Sequence, residues 1–165
     1  MIELVGFALA AAAALVSAAV VLLHRNPVVA AMSLIVNLVS IAVLFLMLGA
    51  QFVAALQVIV YAGAIMVLIV FVIMLLGLPR EPDALRPRAG QWILAGAAAM
   101  ALAAALLKAL SPAGVIAPGT VAPDFGTAHW LAGPLFSTWF WPFEILSLVL
   151  LAAMAGAVLL AKRDL

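Results

Sequence analysis

"NPVVAAMSLIVNLVSIAVLFLMLGAQFVAALQVIVYAGAIMVLIVFVIMLLGLP", residues 26–79, runs for 54 positions without an Asp, Glu, Lys, Arg or His. No single buried core helix is that long, and the stretch holds two membrane spans of about 20 residues each. A break is needed inside it, and Gly49, Ala50 and Gln51 supply one after the Val28–Leu48 run. Three further uncharged windows, 4–23, 89–107 and 145–161, flank it. A charge at the bilayer centre is unfavourable by about 2.5–3.5 kcal/mol on insertion scales, so these windows mark the spans. The reading is an all-α integral membrane protein with five transmembrane helices, at about 3–23, 28–48, 53–77, 91–110 and 142–161. The remaining connections of any size, 78–90 and 111–141, are rich in Pro and Gly and read as loops. Neither is large enough for a soluble domain, so residues 1–165 form a single membrane domain.

Composition agrees. Of the 165 residues, 70% are hydrophobic and 8% charged, against about 25% charged in soluble domains. The lipid bilayer is therefore the solvent. A net charge of +1 offers no basic patch for phosphates, which excludes a nucleic-acid partner. With no cysteine, the chain has no iron–sulfur ligands, thiolate zinc site or disulfide. No metal site is expected.

Five spans alternate the loops between two sides of the membrane. One side collects Arg25, Arg80, Arg86, Arg88, Lys162 and Arg163, the other Lys108 alone. The positive-inside rule then puts the N-terminus outside and the C-terminus in the cytoplasm. The first span lacks a basic leader and is longer than a typical signal core, which favours a retained helix. The same count places His24 and His129 on opposite sides, where they cannot share one haem iron.

Polar residues within the spans carry the functional candidates. Ser33, Asn37 and Ser40 fall on one face of the second helix. Two readings fit them: hydrogen bonds between helices, or the lining of a hydrated path. In the third helix, Gln57 and Tyr61 stand four apart, followed by Ala62, Gly63 and Ala64. Tyr61 lies about 12 Å inside a helix starting near 53, too deep for an interfacial belt. Either its hydroxyl serves a purpose there, or it fills a gap beside a neighbour packed on Gly63. Glu144 is the one acid close to hydrocarbon. Following Pro142, it reads as a first-turn carboxylate facing the positive end of the helix dipole, or as a titratable group in a proton path. No nucleotide-binding or zinc-hydrolase motif is present.

The third helix is also specific as a motif. "LQVIVYAGAIMVLIVFVIMLL", residues 56–76, resembles the signature third helix of subunit J of proton-translocating NADH-quinone oxidoreductase, respiratory complex I. "RNPVVAAMSLIVNLVSIAVLFLMLGAQFVAALQ" (25–57) resembles the family's second helix and the turn after it, and "LFSTWFWPFEILSLVLLAAMAGAVLLAKR" (135–163) its fifth. The resemblance implies a multi-pass subunit of the bacterial inner (plasma) membrane that carries no cofactor of its own. The complex's FMN, iron–sulfur clusters and quinone belong to other subunits. It implies partners in the membrane arm, the subunits the family calls H, A, K and N. It further implies a π-bulge at Tyr61–Ala64 that switches to regular α-helix and couples quinone reduction to proton pumping, with Glu144 and Gln57 as candidates for the proton path. Some family members carry glutamate where this chain has Gln57, and Trp139 stands where a tyrosine is common. The alternative is a subunit of the related multi-subunit cation/proton antiporters, or a membrane scaffold without catalysis.

Overall fold

The computed structural model describes residues 1–77, 89–110 and 122–162, and within them all regular structure is helical. Arg80, Arg86, Arg88 and Arg163 of the charge count lie outside the described residues. Helix α1 spans Ile2–Leu23 and α2 spans Pro27–Met47. The third helix is continuous over Gln51–Leu76 but changes winding twice. It begins as α3 (Gln51–Leu56), widens into a π-helix (Gln57–Ile65), and ends as α4 (Met66–Leu76). Then come α5 (Ala89–Leu110), α6 (Ala128–Phe136) and α7 (Phe140–Ala161). Four helices, Ile2–Leu23, Pro27–Met47, Gln51–Leu76 and Phe140–Ala161, are long and apolar enough to cross a membrane; the apolar part described within α5, Ile93–Ala109, is shorter.

Local chemistry sets the boundaries. Asn26 caps α2, its side chain accepting from the Val28 N–H at 3.0 Å, and Pro27 opens the helix where its missing donor is not needed. Gly49, at φ +77°, turns the chain out of α2, and the third helix starts two residues later. Gly77 ends α4 in the left-handed region, at φ +55°.

Helices α1, α2 and the third helix pack side by side, with α2 in the middle. The contacts are made by small residues. Ala10 and Ser17 of α1, Ala31, Ser40 and Ala42 of α2, and Ala54 and Ala62 of the third helix are all buried, and Met66 is the one large side chain that joins them. This is how membrane helices associate: lipid is as apolar as Leu, so close backbone approach rather than hydrophobic burial holds them. Large side chains such as Ile59, Leu68 and Leu150 point outward. Helix α7 packs against α6 and shares no substantial packing with α1–α4; none of its residues is buried.

Two expectations are corrected. The connection 111–141 is not loop throughout: Ala128–Phe136 is helical, started by Thr127, whose hydroxyl accepts from the Trp130 N–H at 3.3 Å. Pro134 lies inside its last turn, where it lacks a helix donor; the helix ends at Phe136, and the Pro134 carbonyl accepts from the N–H groups of Ser137 and Trp139. The last apolar helix starts at Phe140 rather than about 142, with Trp139 as its N-cap. Pro142 is thus the third residue of α7 and Glu144 the fifth, so Glu144 sits in the second turn and not the first. The dipole argument for its charge weakens accordingly, since that effect fades beyond the first turn.

Candidate functional site

The π-helical segment Gln57–Ile65 contains the Tyr-Ala-Gly-Ala run at positions 61–64. Its last turn closes with the Met66 N–H donating to the Tyr61 carbonyl, a bond to the fifth residue back instead of the fourth. Such winding is rare and concentrates at functional sites. The packing explains why it forms here. Ala54, Ala62 and Met66 are all buried as the third helix packs on α2. In a straight α-helix, steps of four residues overshoot a full turn by about 40° each, so three such steps carry a side chain well off its face. Wider winding holds more residues per turn and keeps these positions on one side.

Gly63 fits the same geometry. A Cβ built on it would stand 3.2 Å from the Val58 carbonyl oxygen, five residues back, closer than side chains normally tolerate. The contact exists because the π-turn brings that carbonyl under residue 63. Tyr61 is half exposed on the flank that α2 leaves open. Gln57, at the start of the segment, is half-buried, while Gly63 and Ala64 are exposed.

The polar face of α2 divides. Asn37 reaches across to α1 and donates through Nδ2 to the Ala14 carbonyl at 2.6 Å. Ser40 is buried, but its hydroxyl donates to the Val36 carbonyl of its own helix at 2.8 Å. Ser33 is half-buried. On α1, Ser17 places its hydroxyl 2.6 Å from the Ala13 carbonyl oxygen and 3.0 Å from that of Ala14. The Ala14 carbonyl is therefore a polar node between α1 and α2, visible in the sequence only as two isolated polar residues.

Glu144 is not brought to this region. It is exposed on α7, and its own carbonyl accepts from the Ser147 hydroxyl at 2.7 Å. His24 stands at the α1–α2 connection, where its Nδ1 accepts from the Asn26 N–H at 3.1 Å. His129 belongs to α6, which follows a segment packed at the other end of α2. Among the described residues, no three His, Asp or Glu side chains come together as a metal site.

Sequence reasoning missed the segment Ala122–Thr127, which crosses the turn between α2 and α3. The Gly126 carbonyl accepts from the Phe52 N–H at 2.9 Å. Gly126 is buried at φ +76°, and a Cβ there would overlap the Gly49 carbonyl oxygen and lie 2.9 Å from the Ala50 Cα. Thr127 donates its hydroxyl to the Asp124 carbonyl at 2.6 Å, and Phe125 meets Trp130 edge to face. The available signal was the Asp-Phe-Gly-Thr order, a turn followed by a helix cap.

The model of the NADH-ubiquinone/plastoquinone oxidoreductase chain 6 family matches residues 17–160. The chain is 39% identical to the NAD(P)H-quinone oxidoreductase chain 6 of Leptolyngbya boryana, over 99% of this chain and 81% of that one. It is 38% identical to the NADH-quinone oxidoreductase subunit J of Pseudomonas aeruginosa, over 96% of each. Over a 58-residue stretch it reaches 57% identity with the subunit J of Escherichia coli, covering 35% of this chain and 32% of that one.

Proposed function

This chain belongs to the NADH-ubiquinone/plastoquinone oxidoreductase chain 6 family, and from that membership we propose that it is a membrane-arm subunit of a proton-translocating NADH-quinone oxidoreductase. The antiporter and scaffold readings are not favoured. The chain holds no redox centre in this proposal: it has no cysteine to bind a cluster, and electrons pass through other subunits of the complex. Its task is coupling.

The observation that carries the coupling role is the π-wound Gln57–Ile65 within a helix long enough to span the bilayer. A π-turn stores an alternative. Drawing it tight to regular α-helix moves one end of the span relative to the other and re-aims Tyr61 and its neighbours. Gly63 eases the wide state, because a Cβ there would crowd the Val58 carbonyl and require it to give by a few tenths of an ångström. Tyr61–Ala64 are the switch in this reading, Gln57 is a polar anchor at its edge, and Ser33, Asn37 and Ser40 support the helices beside it. The subunits this chain meets are those the family calls H, A, K and N. Purification through a tag on this chain in mild detergent is expected to bring along flavin- and cluster-bearing subunits. Recovery with antiporter subunits alone would overturn the assignment.

The five-span arrangement, with the N-terminus outside and the C-terminus in the cytoplasm of a bacterial inner membrane, takes α5 as a fourth span. Its 22 residues are about 33 Å long, sufficient for hydrocarbon. Arg25 and Asp124 lie toward opposite ends of α2. A cysteine replacing Arg25 is expected to react with an impermeant thiol reagent from the cytoplasmic side only, and one replacing Asp124 from outside only. Labelling of both from one side would mean a miscounted span.

Glu144 is proposed as a contributor to proton movement. Its place in the second turn of an exposed helix, beyond the reach of first-turn dipole stabilisation, supports a role other than capping. Glu144→Gln is expected to lower proton pumping while the complex assembles at its normal level. Full pumping and quinone reduction in that variant would remove the residue from the site.

A further inference from the structure

If the π-segment rewinds, one half of the third helix must turn against the other. Removing a single inserted residue from the winding rotates everything beyond it by about 100°. The two halves are not equally free to do so. In α4, every residue from Met66 to Leu76 is apolar and all of them past the buried Met66 are at least partly exposed, so beyond that first residue its faces can meet lipid alike. Its far end is Gly77, where an added Cβ would meet no described residue within 4 Å. In α3, by contrast, Gln51 is polar; burial does not separate the two halves, since Ala54 and Met66 are each 2% exposed. The start of α3 is also tied from outside its own hairpin. The Phe52 N–H, one of the helix's unpaired first-turn donors, is held by the Gly126 carbonyl, and Gly126 is wedged on the backbone of Gly49 and Ala50.

We propose that the strap Ala122–Thr127, through Gly126, is the fixed stop of the third helix: it holds Gln51–Leu56 in register, so that rewinding of Gln57–Ile65 is delivered to Met66–Leu76. Gly126 is thus a positioning residue for coupling, acting through the Phe52 amide and the Gly49 turn. The inference rests on the switch reading above. It adds which half moves and what holds the other.

The test uses the assembled complex and two native phenylalanines, Phe52 in the held half and Phe71 in the free half, both partly exposed. Each is replaced in turn by photoreactive benzoyl-phenylalanine, and crosslinks to neighbouring chains are compared at rest and during turnover with NADH and quinone. The expected result is a severalfold change in crosslink yield or partner at position 71 and none at 52. Introducing Gly126→Ala, whose Cβ cannot coexist with the Gly49 carbonyl, should make position 52 change on turnover as well. Thr127→Val loosens the strap by removing its hydroxyl contacts without a clash, and should act in the same direction if the alanine variant fails to assemble. Changes at both positions in the unaltered chain, or a position 52 that stays fixed in an assembled strap variant, would overturn the stop. No change at either position in the unaltered chain would instead overturn the switch itself, and the stop with it.

Discussion

Gly63→Val is expected to lower quinone reduction and proton pumping together, by about tenfold, while electron transfer from NADH to an artificial acceptor in the hydrophilic arm stays normal. The sign follows from the π-turn. A Cβ at residue 63 would press on the Val58 carbonyl oxygen at 3.2 Å in the wide state. In a regular helix the same position loses the flexibility of glycine, which disfavours helix by about 1 kcal/mol relative to Ala. The propensity gain applies to either helical winding; the contact in the wide state is what pushes the balance toward regular winding, and the branched methyl groups of valine stiffen the side chain further. A bias of about 1.4 kcal/mol changes the ratio of two states tenfold, and a cycle that must visit both is slowed to match. Gly63→Ala should give a smaller effect of the same kind. Tyr61→Phe, which removes one hydroxyl and leaves the ring, should be milder still. Artificial-acceptor activity of the membranes is the control: a parallel fall there would indicate lost assembly. An assembled Gly63→Val complex that pumps at the normal rate and stoichiometry would make Tyr61 and Gly63 packing residues.

What could be read ahead of the structure was whatever is encoded locally. The Gly49-Ala50-Gln51 break stands out because an uncharged run of 54 residues must bend somewhere, and glycine is the residue that turns there, at φ +77°. The depth of Tyr61 in its helix follows from counting residues. The winding around it does not, for it depends on Ala54, Ala62 and Met66 packing on α2, a tertiary demand that α-helical periodicity hides. Pro142 misled in a simpler way. Proline is common as a first helical residue, yet it is equally free of an intrahelical partner elsewhere in the first turn, and here it stands third. Gly126 was illegible for a different reason: its partner is more than seventy positions away, and nothing in a turn of Asp, Phe, Gly and Thr names the turn it will rest on. Asn37 is intermediate. Its helical face pointed to a protein neighbour, but only the structure identifies the Ala14 carbonyl as what it meets.

Expressed without its partners, the chain is expected to reach no more than about a tenth of its level in the complex and to run as a mixture of species, while its N-terminal half keeps its packing. The Ser33, Asn37 and Ser40 face does not by itself require another subunit: Asn37 is satisfied by α1 and Ser40 by its own helix, so these two groups need no partner from another chain. The second half of the chain is different. Helix α7 has no buried residue and, among the described residues, shares substantial packing only with the short α6. In lipid its apolar surface provides no force to bring it home, because lipid chains satisfy leucine as well as protein does. Its place is therefore set by neighbours, and Glu144 with its charge must find them or remain near the membrane surface. Cysteines at Gly6 and Met47, where a Cβ built on Gly6 lies 3.4 Å from the tip of the Met47 side chain as the start of α1 crosses the end of α2, should be bridged by a short bifunctional thiol crosslinker equally well in the lone chain and in the complex. Crosslinks that fix α7 in the complex should be lost in the lone chain, and proteolysis should remove residues beyond Gly77 before it cuts the α1–α4 unit. A lone chain recovered as a single stable species, with α7 held as in the complex, would show that the placement of α7 is internal to this chain.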